Sequence, residues 1–205
     1  MLDFGSGTGW ISEFLSRMNI QVNAFDINRE LDKAINARCK LDARTQRDLI
    51  TCTIGDGHQM LFENNSFGHI LCFDTLHHMH DYHKVFSEFQ RVLLPGGRCI
   101  FVEPGAGHST SKETLEFLQL KKTDPTWIER DVILEEMHKL AKECGFNDGV
   151  NVVPVSHPLA LQVLSSDQWA SFRGGDALLR SQYLEQLSKQ NYFDRVIFYI
   201  DKLGP

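Results

Sequence analysis

The chain has 205 residues, 42% hydrophobic and 23% charged, the balance of an ordinary globular protein long enough to bury one α/β core. Its net charge of -6 argues against a dedicated DNA or RNA binder, which would carry a basic face. No apolar run approaches the ~20 residues that cross a bilayer, and the opening residues lack the basic start and apolar stretch of a signal peptide. A cytoplasmic protein with no membrane insertion is expected.

Met1 to Phe4 reads as the stub of a strand. Trp10, Ile11, Phe14, Leu15 and Met18 recur at helical spacing and predict a one-faced helix behind a glycine-rich turn. Ile20 to Phe25 alternates as a strand that stops at Asp26, and a second helix is expected from about Arg29 to Arg44. Leu49 to Ile54 is rich in β-formers and closes on the turn Gly55-Asp56-Gly57. His69 to Phe73 is a continuous apolar strand ending at Asp74. Tyr82, Val85, Phe86, Phe89, Val92 and Leu93 form the stripe of the next helix, with Asp81 as N-cap and Pro95-Gly96-Gly97 as its end. Arg98 to Val102 is another buried strand. After a polar stretch, Asp131 to Cys144 reads as a helix with Gly145 just beyond it. Val150 to Val155 and Arg195 to Ile200 read as the last strands, around a helical insertion over roughly 157–190.

Apolar strands alternating with helices predict an α/β fold, a single domain over 1–205 built on a mostly parallel sheet with helices on both faces. The five cysteines are odd in number and widely spaced, a pattern that suits reduced thiols.

Gly5, Gly7 and Gly9 alternate along the first turn, where glycine permits positive φ and lets a ligand approach without meeting a Cβ. The helix behind them offers free N–H groups. A dinucleotide fingerprint requires a third glycine three positions beyond the second, and Trp10 stands there. Asp3-Phe4-Gly5-Ser6-Gly7-Thr8-Gly9 instead resembles the first motif of class I S-adenosylmethionine-dependent methyltransferases, in which an acid precedes Gly-x-Gly-x-Gly. Asp26, at the end of the second strand, can accept both hydroxyls of a ribose, or can simply cap the next helix. Asp56 matches the acid that the family directs at the adenine amino group; a plain Asp-Gly turn is the alternative. The stretch from Ser66 to Asp81 resembles the family's fourth-strand motif, although Gly68 and His69 replace the usual acid and its neighbour. Gln90 to Gly97 matches the lead into the fifth strand.

The resemblance implies a Rossmann-like methyltransferase fold of seven strands with the last antiparallel, and S-adenosylmethionine as cofactor. The cofactor residues it implies are Asp3, Gly5, Ser6, Gly7, Gly9, Asp26, Ile27, Asp56, Gly57, Phe73 and Asp74.

His77, His78, His80 and His83 crowd one stretch. Imidazole is a common zinc ligand, but no cysteine lies among them and His77 and His78 would point apart, so no metal is expected. Two readings remain open. His77 or His78, at the end of the fourth strand, faces the reactive methyl and deprotonates an acceptor, or one of them anchors the loop. His78 is the closer match to the family's histidine. In the loop from Glu103 to Ser111, His108 and Glu103 are further candidates to touch substrate or act as base, against a plain surface loop. Lys112 to Trp127 is a candidate substrate lid, with Lys121-Lys122 as solvated charge. Trp169, Phe172, Tyr183, Tyr192 and Phe193 suit either a core or an acceptor pocket, and Arg173-Gly174-Gly175-Asp176 a contact with a polar acceptor.

The expected reaction is methyl transfer to a small or medium acceptor, oxygen before nitrogen or carbon, with a saccharide or polysaccharide-precursor hydroxyl suggested by a faint resemblance in the loop after the fifth strand. Nucleic acid is not expected as partner. A first strand that starts at Met1 suggests part of a longer polypeptide or a misplaced start. The rivals are a degenerate nucleoside-binding domain and a nicotinamide-dependent oxidoreductase.

Overall fold

The computed structural model describes residues 1–121, 126–146, 149–153 and 195–204. In chain order the elements are β1 (Leu2–Phe4), α1 (Trp10–Arg17), β2 (Val22–Asp26), α2 (Leu31–Leu41), β3 (Ile50–Ile54), β4 (Phe67–Phe73), α3 (Tyr82–Val92), β5 (Leu93–Pro104), α4 (Lys112–Leu120), α5 (Leu134–Glu143), β6 (Asn151–Val152) and β7 (Arg195–Asp201). The strands form one sheet in the order β3-β2-β1-β4-β5-β7-β6. The first five run parallel, and β7 is antiparallel to β5, as expected. The apolar runs bury Leu2, Phe4, Ile70, Cys72 and Phe101 against Val85, Phe86 and Phe89 of α3, and Val22, Ala24 and Ile50 against Leu31 and Ile35 of α2. All five cysteines are free thiols.

Three expectations change. The stripe that predicts α1 is only partly its buried face: Ile11 is buried and Leu15 partly so, together with Ser12, Glu13 and Ser16, while Trp10, Phe14 and Met18 stay exposed. Hydrogen bonding explains it, because Ser12 Oγ donates to Asp3 at 2.6 Å and Ser16 Oγ to the Glu13 carbonyl at 2.8 Å. Pro95-Gly96-Gly97 is the irregular start of β5, which shifts register between Phe67 and His69. The polar stretch holds α4, capped by Ser111 accepting from the Thr114 N–H at 3.2 Å. Gly145 takes its expected positive φ of 83° behind α5. The helical insertion, its aromatic set and the Arg173-Asp176 loop lie outside the described residues.

Parallel pairing puts Gly5, Asp26, Gly55, Asp74 and Gly105 at the carboxyl ends of β1 to β5. That edge is where open α/β sheets receive ligands.

Candidate functional site

The glycine turn is folded by its own backbone. The Gly5 and Ser6 N–H groups both donate to the Phe25 carbonyl, at 2.8 and 3.0 Å, and Gly9 N–H donates to the Ser6 carbonyl at 2.7 Å. Gly5, Gly7 and Gly9 all have positive φ. Asp26 closes the turn: Oδ2 accepts Gly7 N–H at 2.7 Å and Oδ1 accepts Asn28 N–H at 2.8 Å. From the outer side Arg38 donates to the Thr8 carbonyl at 2.8 Å and to Glu13 at 2.8 Å.

The other predicted cofactor residues divide. Ile27 is exposed beside Asp26, an apolar side chain with nothing over it among the described residues. Asp56 is exposed and accepts from the backbone N–H of His58, which with the ring of that histidine holds its carboxyl below the usual range. Gly57 is buried under the Phe4 ring, where a Cβ would overlap it, so its demand is one of packing. Phe73 packs edge-on against Trp10 with ring centroids 5.1 Å apart. Asp74 follows at φ 49° and is ion-paired with Arg195 of β7.

Asp3 is only 1% exposed, inside the sheet behind the turn. Burial pushes its carboxyl up to about 6, against the opposing hydrogen bond from Ser12. A raised acid contributes most to stability below its unfolded value near 4, and that contribution is lost as pH rises through 6. Asp3→Asn removes the buried charge and keeps an acceptor for Ser12. The variant is therefore expected to gain about 1–3 kcal/mol over the wild type at pH 8, and much less at pH 4. Thermal unfolding at both pH values checks it; a difference that does not change with pH would mean that folding does not raise the Asp3 pKa.

The turn after β4 is stitched to the glycine loop by Thr75, whose hydroxyl lies 3.1 Å from the Gly5 carbonyl and 2.9 Å from that of Phe73. Beneath it Glu103, at the end of β5, is fully buried. Its carboxylate accepts Thr75 N–H at 3.0 Å, Leu76 N–H at 2.9 Å and the Cys72 thiol at 3.4 Å, and meets His77 Nδ1 at 2.8 Å. Glu103 therefore cannot touch an acceptor, contrary to expectation. It orients His77.

One further carboxylate has no counterpart in the sequence reading. Residues 126–132 run back across both loops: Arg130 N–H donates to the His77 carbonyl at 3.2 Å and Val132 N–H to the Pro104 carbonyl at 3.1 Å. This carries Glu129 into the histidines, 3.1 Å from His108 Nε2, 3.4 Å from His77 Nε2 and 3.7 Å from His78 Nδ1. Burial opposes charge on Glu129, but hydrogen bonds from Trp127 and His108 outweigh it and hold the carboxyl below its ordinary value. His78 sits between Trp127, 4.6 Å away ring to ring, and His77 at 3.8 Å, with Nδ1 on the Ile128 carbonyl at 2.9 Å. Burial lowers the His78 pKa, and His77 lowers it further. Asp131 shapes the His108 loop by accepting N–H groups from Gly107 at 2.9 Å and Ser109 at 2.7 Å. His77, His78 and His108 are thus brought together, whereas His80 turns to the Thr126 carbonyl at 3.0 Å. Lys121, read as solvated charge, lies 4.5 Å over the Trp127 ring.

Residues 2–101 match the family model described as a methyltransferase domain. A glycine/sarcosine/dimethylglycine N-methyltransferase of Actinopolyspora halophila is 26% identical over 189 residues, covering 85% of this chain and 31% of that protein. A ubiquinone biosynthesis O-methyltransferase of Xanthomonas oryzae pv. oryzae is 31% identical over 98 residues, covering 48% of this chain and 40% of that protein. The chain thus spans less than half the length of either curated relative. Among solved structures, phosphoethanolamine N-methyltransferase 2 of Haemonchus contortus in complex with S-adenosyl-L-methionine superposes with a TM-score of 0.63 at 24% identity, covering 100% of this chain and 48% of that one. The YcgJ protein of Bacillus subtilis has the same fold, with a TM-score of 0.63 at 18% identity, covering 100% of this chain and 92% of that one.

The residues present fit such a cofactor. A Cβ built on Gly7 meets nothing within 4 Å, so the turn has an open side at its middle glycine. Two of about four acceptor positions on the Asp26 carboxylate are used by backbone, which leaves positions for two ribose hydroxyls.

Proposed function

We propose that the chain is a class I S-adenosylmethionine-dependent methyltransferase and that it transfers a methyl group to a small or medium acceptor, a reading supported by the methyltransferase-domain match over residues 2–101. The observation that carries this reading is the Asp26-closed turn, open at Gly7 and stitched through Thr75 to a wall of imidazoles. When bound, the cofactor supplies a methyl already activated on a sulfonium. The chain's own task is binding and alignment, which gives a large share of the rate in a displacement. Asp26 would take the ribose hydroxyls, the exposed side chain of Ile27 would lie against the nucleoside, and Asp56 would meet the adenine amino group. Gly5, Ser6, Gly7 and Gly9 let the cofactor lie against the backbone, with Phe73 and Asp74 alongside. Asp3 acts one layer behind, fixing α1 through Ser12.

The acceptor side is the wall of His77, His78, His108 and Trp127. His78 is the most open of the three imidazoles, at 26% side-chain exposure against 6% and 16% for His77 and His108. It is the group best placed to meet the acceptor. The acceptor we favour is a hydroxyl, of a saccharide or polysaccharide precursor, on the sequence of the loop around His108. The amine and quinone-pathway names of similar proteins make amines and phenols the comparison substrates.

Calorimetric titration with S-adenosylhomocysteine, with NAD as control, tests the cofactor assignment. Binding of the first alone is expected, and binding of NAD in its place would overturn it. Asp26→Ala is expected to weaken that binding by about 1–3 kcal/mol, roughly 5- to 150-fold, because buried hydroxyls lose their acceptor and the turn loses its clasp. An unchanged affinity would remove Asp26 from the site.

A further inference from the structure

We propose that His77, His78 and Glu129 form a binding site for a divalent transition-metal ion on the acceptor side of the pocket. The inference rests on the reading of this wall as the acceptor side, and it adds a ligand class that the reading does not require. The three side chains each offer one ligand atom, and those atoms all lie within 4.8 Å of one another. Tetrahedral ligands about 2.0–2.1 Å from a metal sit roughly 3.3 Å apart. His77 Nε2 and Glu129 Oε2 are 3.4 Å apart. His78 Nδ1 lies 3.7 Å from Glu129 Oε1 and would exchange the Ile128 carbonyl for the ion.

The surroundings have the form that metal-ligating imidazoles take. Histidine ligands present one nitrogen to the metal and bond the other to a carboxylate, which fixes tautomer and ring orientation. His77 does this: Nδ1 is on fully buried Glu103 at 2.8 Å, and Nε2 is left facing Glu129. The Glu129 ligand is itself oriented by Trp127 Nε1 at 2.9 Å and by His108 Nε2 at 3.1 Å. Two carboxylates, Glu103 and Glu129, flank one imidazole, and their side chains are 0% and 5% exposed. The nearest arginine in sequence, Arg130, turns instead to the Met79 and His80 carbonyls and the Tyr82 ring. A cation between Glu129 and the imidazoles would balance that buried negative charge.

A second grouping, Asp74, His77 and Glu103, is the weaker one. Asp74 is paired with Arg195, and Glu103 is filled by backbone N–H groups. Two nitrogens and one carboxylate oxygen suit ions of the Zn2+ and Co2+ class better than Mg2+ or Ca2+, which take oxygen. Three protein ligands leave a coordination position, and His78 is the exposed member, so that position belongs to the acceptor: a hydroxyl or amine group as fourth ligand.

The test is titration of the metal-free chain with Co2+, read by the visible d–d absorption of a low-coordinate ion and repeated with Zn2+ by calorimetry. One ion per chain is expected. Glu129→Gln and His78→Ala are each expected to weaken binding at least ~10-fold, whereas His80→Ala leaves it unchanged. Binding of S-adenosylhomocysteine, measured on the same samples, reports whether each variant is folded and keeps the cofactor reading separate. Absence of a stoichiometric Co2+ band in the wild type overturns the proposal, even if S-adenosylhomocysteine binds. So does a band that persists unchanged in folded Glu129→Gln, which would assign the ion elsewhere.

Discussion

Glu103→Leu is expected to cost about 3–5 kcal/mol of folding stability, the range for stripping one partner from a buried charged network. Leucine has a similar length and fills the space, so the loss is not one of volume. It arises because Thr75 N–H, Leu76 N–H and His77 Nδ1 would face an apolar side chain at the buried end of β5. The Cys72 thiol belongs to the same group, and burial with the nearby Glu103 charge pushes its pKa far above the ordinary value, which keeps it a donor. Glu103→Gln keeps one acceptor oxygen but aims an NH2 where a carboxylate oxygen stood, so a smaller loss of about 1–3 kcal/mol is expected. Urea unfolding of the three proteins measures both. Equal midpoints would mean that the turn after β4 is held by something other than this carboxylate. Because the same side chain orients His77, Glu103→Gln is also the mildest change that should disturb the imidazole wall while the glycine turn stays intact.

What was legible in the sequence was whatever repeats or punctuates. The parallel strands show as apolar runs because both faces of the sheet are covered, and each run ends at a polar or glycine residue on the ligand edge. Asp81 was readable as a cap from its position alone, and it accepts the Lys84 N–H at 3.1 Å. The face of α1 was not readable, because periodicity registers polarity and not partners. Ser12 and Ser16 look like a solvated face until Asp3 and the Glu13 carbonyl are seen beneath them. Glu103 looked like a pocket carboxylate because it ends a strand beside glycines, whereas it accepts from backbone N–H groups of the turn after β4, which only the pairing of β4 with β5 brings near. Glu129 was invisible for a related reason. It lies some fifty positions from His77 and His78 in a stretch with no periodicity, and two backbone hydrogen bonds from Arg130 and Val132 deliver it.

Gly5→Ala is expected to be far more damaging than Gly7→Ala, although the motif writes the two glycines alike. Both have positive φ, 70° and 58°, so each alanine carries the left-handed cost of about 1–2 kcal/mol. Only at Gly5 does the new methyl overlap a neighbour, the Thr75 side chain. Thr75 cannot step aside cheaply, because its hydroxyl is bonded to the Gly5 and Phe73 carbonyls. Overpacking adds about 1–3 kcal/mol, giving roughly 2–5 kcal/mol in total for Gly5→Ala. Gly9→Ala belongs with Gly5→Ala, since its methyl would overlap buried Ile35 of α2. Gly7→Ala meets open space in the fold, so its protein should stay folded and lose affinity for S-adenosylhomocysteine instead. Placing Gly5→Ala in a Thr75→Ala background recovers only part of the steric cost, because Cγ2 and Oγ1 are gone but Cβ stays within overlap, and the conformational part should remain. If Gly5→Ala and Gly7→Ala unfold at the same denaturant concentration, Thr75 does not pack on Gly5, and the link between the glycine turn and the imidazole wall is lost with it.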